Sequence, residues 1–133
     1  MASTVKEATD ERAGRAKGLR VLVVEDDPGA LAATVEMLQL LGHWAAGVGS
    51  AETAKDRFLD GAFDVLLTDI GLPALSGMDL VESLHVRNRL EVIFATGRPP
   101  PAKPIEGTFW LQKPFTVEQL ESALARAKNR AEA

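Results

Sequence analysis

The sequence predicts an α/β fold: a five-stranded parallel sheet with helices on both faces. Two observations carry this. Between residues 19 and 130, short apolar runs alternate with stretches whose apolar residues recur every three or four positions. The clearest run, "VLVV" at Val21–Val24, is apolar at every position, the pattern of a strand covered on both sides. Strands joined through helices in this way run parallel and cross over right-handed.

Each element can be justified in turn. "LRVLVVE" (19–25) is the first strand. Asp27 caps the helix that follows and Pro28 suits its first turn. Leu31, Val35 and Leu38 give that helix its inner face, and Gly42 ends it. "HWAAGV" (43–48) is a weaker strand. Ser50 starts a second helix, with Ala51, Ala54 and Phe58 inward and Gly61 at its close. "FDVLLTD" (63–69) is the third strand, and "MDLVESLHV" (78–86) a helix burying Leu80, Val81 and Leu84. "EVIFAT" (91–96) is the fourth strand. Residues 97–107, "GRPPPAKPIEG", carry prolines that lack a backbone donor and crowd the preceding turn, so a regular helix is not expected there. "TFWLQ" (108–112) is a short fifth strand. Thr116 and Gln119 form a capping box for a last helix whose inner face is Leu120, Ala123, Leu124 and Ala127.

Composition narrows the function. A chain of 133 residues suits one domain with one core. Net charge is −4, which argues against a nucleic-acid or membrane surface, and no apolar run is long enough to span a bilayer. No cysteine is present, so disulfides and thiol chemistry are excluded and a cytoplasmic, reducing setting is expected. Residues 1–18 are polar and mixed in charge, and are expected to form a disordered or frayed arm.

The polar residues fall at strand ends. Glu25 and Asp26 close the first strand, Asp69 the third, Thr96 the fourth, and Lys113 follows the fifth. In parallel sheets ligands sit beyond the carboxyl ends of the strands. Carboxylates there suit Mg²⁺, and the cation relieves their mutual repulsion. One carboxylate can attack phosphorus to give an aspartyl phosphate, while an amine and a hydroxyl stabilise the transferred charge. Other roles were weighed. Asp27 fits a helix cap better than a third site acid. His43 and His85 lack metal-ligand spacing and fit surface or strand-edge positions. Trp44 fits packing against a neighbouring helix.

Four motifs, "VLVVEDDP", "VLLTDIGLP", "FATG" and "LQKPF", resemble those of response-regulator receiver domains (CheY-like) of two-component signalling. The resemblance runs from residue 19 to about 128 and implies a receiver domain over 19–130. It implies a flavodoxin-like, doubly wound sheet of order 2-1-3-4-5, for which a receiver is a standard example. By position it makes Asp69 the phosphoacceptor and Asp26 a direct Mg²⁺ ligand. Glu25 becomes the acid acting largely through water, and the Gly71 backbone carbonyl a further ligand. Thr96 becomes the switch hydroxyl, Lys113 the charge-stabilising lysine, and the Lys113-Pro114 peptide cis. Trp110 falls where the family places a switching aromatic; static core is the other role open to it. The "FATG" motif also resembles an alphaproteobacterial subgroup reading Phe-Ala-Thr-Gly-aromatic, with Arg98 here in the aromatic place. Thr96 and Lys113 stand closer together than is usual in the family. The fourth crossover helix is therefore expected to be shortened or replaced by the Pro-rich loop, remodelling the output face.

The resulting expectation is a stand-alone receiver that is not an enzyme but assists its own phosphorylation and dephosphorylation. It would take a phosphoryl group on Asp69 from a histidine kinase or histidine phosphotransfer protein, using Mg²⁺. Output would pass by protein–protein contact or phosphorelay to a downstream protein, without nucleic acid or membrane. The competing expectation is a binding module on the same fold that works without phosphorylation. Arg98, two positions after Thr96, is expected to influence water access to the phosphate.

Overall fold

The computed structural model describes residues 18–57, 62–71, 76–85, 90–103 and 107–132. Among the described residues the elements are, in order, β1 (Arg20–Val24), α1 (Pro28–Leu40), β2 (Trp44–Val48), α2 (Ala51–Arg57), β3 (Val65–Asp69), α3 (Gly77–His85), β4 (Glu91–Thr96), β5 (Thr108–Gln112) and α4 (Val117–Glu132). All strand pairs are parallel, in the order β2-β1-β3-β4-β5. The expected flavodoxin-like sheet is therefore present. Among the described residues between β4 and β5 there is no helix.

Side-chain alternation builds two cores from each strand. In β1, Leu22 and Val24 face α2 and α3 with Ala51, Ala54, Leu66, Leu80 and Phe94. Val21 and Val23 face α1 and α4 with Leu38, Leu67, Ile93, Leu120 and Leu124. The four inward residues expected of α4, Leu120, Ala123, Leu124 and Ala127, are all fully buried. Burying each leucine stabilises the fold by roughly 1.5–3 kcal/mol.

Local signals set the helix ends. The Asp27 carboxylate accepts the Ala30 N–H at 3.1 Å, with Pro28 in the first turn. Gly42, at φ 92°, takes the left-handed turn after α1. Ser50 Oγ accepts the Thr53 N–H. Thr116 and Gln119 exchange both bonds of a capping box, at 3.0 and 2.8 Å.

Packing explains the small residues in the middle of the β2 strand, "WAAGV". A Cβ at Gly47 would stand 2.8 Å from Leu31 Cδ1 and 3.0 Å from Val35 Cγ2, so α1 rests on the bare backbone of β2. Two expectations need correction. Trp44, expected to pack on a helix, is 58% exposed, and its ring meets Phe63, just before β3, at 5.8 Å. His43 sits at the head of the edge strand β2 but is buried rather than on the surface, its Nδ1 accepting the Leu19 N–H. The expected arm falls outside the described residues except for Gly18, whose N–H bonds to Gly42 O. Phe58, Gly61 and the side chains of Leu84 and His85 also lie outside them. Among the described residues no helix is long and apolar enough to cross a membrane.

Candidate functional site

The carboxyl ends of β1, β3 and β4 and the turn after β5 converge on one rim. Glu25 follows β1, its N–H bonded to Val48 O. Its side chain turns inward and is buried; Oε2 accepts the Asp27 N–H at 3.1 Å and Oε1 accepts Lys113 Nζ at 3.0 Å. Asp26, the next residue, points outward and is exposed. Asp69 ends β3. Its Oδ1 accepts the Gly71 N–H at 3.1 Å and its Oδ2 accepts Lys113 Nζ at 3.0 Å. Carboxylate oxygens of Glu25, Asp26 and Asp69 all lie within 4.8 Å of one another.

Lys113 is delivered by the turn after β5. Its N–H bonds to Thr96 O at 2.7 Å, and the Lys113-Pro114 peptide is cis, as the resemblance implied. Burial by itself lowers the ammonium's pKa, because it disfavours the charged form. The hydrogen bonds and charges of Glu25 and Asp69 outweigh that and raise it above its ordinary value. The ammonium stays charged throughout the physiological range.

The donor set fits a magnesium ion. Octahedral Mg–O bonds of about 2.0–2.1 Å place neighbouring ligand oxygens about 2.9 Å apart and opposite ones about 4.2 Å apart. Oxygens within 4.8 Å of one another are near enough to converge on one such ion by side-chain adjustment. Ionised, its three carboxylates less the one ammonium leave two negative charges, the complement of a divalent cation. All the donors are hard oxygens.

Thr96 is buried at the end of β4, and its Oγ1 accepts the Arg98 N–H at 3.1 Å. The hydroxyl that accepts this bond still carries one proton to donate. Gly71, Thr96, Arg98, Pro99, Pro101 and Trp110 line, with Asp69, a depression of about 580 Å³ on this rim. Trp110 lies over Phe94, ring centres 4.8 Å apart, with Nε1 bonded to Thr108 Oγ1 at 3.1 Å. The ring is part of the core in this conformation and also borders the depression. Glu25, Asp26, Asp69, Gly71, Thr96, Trp110 and Lys113 are therefore gathered about one rim. Two supports had not been identified. Thr68 Oγ1 donates to Asp69 O at 3.0 Å, and Ser76 Oγ accepts the Asp79 N–H to start α3. The Ser-x-x-Asp spacing at 76–79 was a legible cap signal; the Thr68 contact carried none.

Known proteins agree with this geometry. The family model for the response regulator receiver domain matches residues 21–125. The chain is 30% identical over 115 residues to the DNA-binding transcriptional regulator NtrC of Azospirillum brasilense, covering 82% of this chain and 24% of that protein. It is 30% identical over 112 residues to the two-component response regulator PhoP of Pseudomonas aeruginosa, covering 80% of this chain and 50% of that one. The chain thus spans half or less of the length of these two relatives. Among solved structures, a receiver domain protein from Clostridium thermocellum superposes with a TM-score of 0.74 at 27% identity, covering 86% of this chain and 97% of that one. A CheY-like receiver domain from Methylobacillus flagellatus gives 0.74 at 26%, covering 84% and 99%. Sheet order, rim chemistry and a family match running from β1 into α4 lead to one conclusion: this chain belongs to the response regulator receiver family of two-component signalling.

Proposed function

We propose that Asp69 accepts a phosphoryl group from a phosphohistidine donor, a histidine kinase or histidine phosphotransfer protein, in a Mg²⁺-dependent reaction in the cytoplasm. The observation that carries this reading is the Lys113 ammonium held at 3.0 Å from both Glu25 Oε1 and Asp69 Oδ2. Asp26, Asp69, Glu25 and the Gly71 carbonyl would hold the magnesium ion. When bound, the ion supplies positive charge beside the transferring phosphoryl oxygens.

The chain's own groups do the rest. An Asp69 carboxylate oxygen attacks phosphorus as the donor's N–P bond breaks. The bonding pair returns to the imidazole, and an acyl phosphate forms on Asp69. Lys113 is already fixed beside that carboxylate and stabilises the charge on the phosphoryl group without reorganising. Thr96 keeps its hydroxyl proton for a phosphoryl oxygen. That new bond, together with a rotamer change of Trp110, biases a two-state equilibrium read by a partner protein. The protein acts as a phosphoacceptor that helps its own phosphorylation and hydrolysis, rather than as an enzyme. Its net charge of −4 favours protein contact over nucleic acid as the output.

Incubation with acetyl phosphate and Mg²⁺, followed by intact-mass measurement, tests the reading. The mass of one phosphate is expected on the wild type and not on Asp69→Asn. No gain on the wild type, with partner binding intact in the mutant, establishes the phosphorylation-independent module instead.

A further inference from the structure

The carboxylate of Asp69 is held by Lys113 and by the Gly71 N–H, but what holds its backbone lies elsewhere in the chain. Gly77, the first residue of α3, stands directly against the Asp69–Ile70 peptide. Its N–H bonds to Ile70 O at 3.3 Å. A Cβ at position 77 would overlap Asp69 O and would come 3.1 Å from Ile70 Cα and 3.2 Å from Asp69 C. Every one of these atoms is backbone, so no rotamer change relieves the overlap. Asp69 O is confined on another side by the Thr68 hydroxyl, and Ile70 N–H is tied to Ala95 O on β4. The peptide therefore sits between β4 and the bare Cα of Gly77.

We propose that Gly77 is a positioning residue for the phosphoacceptor. By lacking a side chain it lets the start of α3 press the Asp69–Ile70 peptide into place, and this fixes both the Asp69 carboxylate and the adjoining Gly71 segment. Gly71 follows that peptide directly, and its N–H bonds to Asp69 Oδ1, so a shift of the peptide is passed to both groups proposed to meet the ion. Misplacing reacting atoms by about 1 Å can cost about a hundredfold in rate, so smaller displacements are also costly.

Helix propensity predicts the opposite outcome. Alanine is favoured over glycine by about 1 kcal/mol in a helix interior, and by less at a first position, so a locally acting Gly77→Ala would leave α3 unchanged or slightly stabilised. The inference rests on the phosphoacceptor reading above, and the experiment separates the two. Wild type, Gly77→Ala and Gly47→Ala are compared by thermal melting, by Mg²⁺ titration calorimetry, and by the rate of phosphorylation with acetyl phosphate. Gly47→Ala serves as the control for crowding, since the atoms nearest its Cβ belong to the Leu31 and Val35 side chains of α1 and not to the Asp69–Ile70 peptide.

Gly77→Ala is expected to lower both Mg²⁺ affinity and phosphorylation rate at least about tenfold per folded molecule. Gly47→Ala is expected to lower Tm while changing both less than about twofold, as its nearest contacts are flexible side chains that do not touch the Asp69–Ile70 peptide. If Gly77→Ala melts early, the measurements are made in sucrose, which strengthens burial. Folded Gly77→Ala with wild-type Mg²⁺ affinity and rate overturns the inference. A wild type that takes no phosphate overturns the parent reading, while the calorimetric comparison still decides the role of Gly77.

Discussion

Lys113 Nζ lies 3.0 Å from Asp69 Oδ2, although 44 residues separate the two in sequence. The same ammonium holds the buried Glu25. One cation therefore spans two carboxylates that would otherwise repel each other. Lys113→Met removes that charge while keeping much of the side-chain volume. Phosphorylation by acetyl phosphate is expected to slow by about 10²–10³-fold, the usual cost of losing one preorganised charge-stabilising group. Intact-mass time courses measure it, and a change of less than about threefold would show that Lys113 is only structural.

Trp110 is tested by its own fluorescence. The chain has two tryptophans, and Trp44 is 58% exposed, so Trp44→Phe leaves Trp110 as the sole reporter at little cost. Phosphorylation is expected to shift the emission as the indole leaves Phe94 and Thr108, and Thr96→Ala is expected to abolish the shift. Full phosphorylation with an unchanged spectrum would make Trp110 static core.

Arg98 borders the same depression as Asp69, and its backbone N–H occupies Thr96 Oγ1. If Asp69 carries the proposed acyl phosphate, the Arg98 side chain is expected to influence how water reaches it. Arg98→Ala and Arg98→Glu are expected to change the dephosphorylation rate constant by at least about threefold, equivalent to roughly 0.7 kcal/mol in the barrier. Equal decay constants across the substitutions would remove the assignment.

At the opposite rim, Arg20 and Asp64 tie β1 to the start of β3, with side-chain bonds of 3.0 and 3.2 Å and an Arg20 N–H bond of 2.8 Å. Burial raises the Asp64 pKa. The hydrogen bonds and charge of Arg20 more than offset this, and the carboxyl is held below its ordinary value of 3.8. A pKa depressed by folding contributes stability above the unfolded value, about 3.9, and that stability is lost as pH falls through the folded value. Asp64→Asn is therefore expected to lower Tm at pH 7 by at most about 5 °C, since both side chains are well exposed and screened. The difference from wild type should shrink as pH drops below 4. A gap that stays constant from pH 7 to 3 would assign the loss to packing instead.

Much of this protein was legible because the signals were local. The Thr116–Gln119 box and the Asp27 cap are bonds spanning three residues, and both formed as written. The bounds of β4 and β5 matched the apolar runs "EVIFAT" and "TFWLQ". The prolines after β4 correctly argued against a regular helix in the described part of that crossover. Other features were illegible because their causes were remote. Trp44 looked like a packing residue, yet its strand lies at the sheet edge, where exposure depends on which strand pairs with which. His43 is buried, and its ring is bonded by Leu19, 24 positions away in sequence.

The sequence by itself determined the alternation of strand and helix, the residues that end each strand, and so the set of groups available on one rim. A parallel sheet sends every strand's carboxyl end the same way, which is why that inference could be made without coordinates. Only the tertiary structure decided that Lys113 bridges Glu25 and Asp69, that Glu25 turns inward while Asp26 turns out, and that Gly77 bears on the Asp69 backbone. Those are contacts between side chains and backbone from different crossovers. Their distances are fixed by how helices seat on the sheet, a packing outcome that no local pattern encodes.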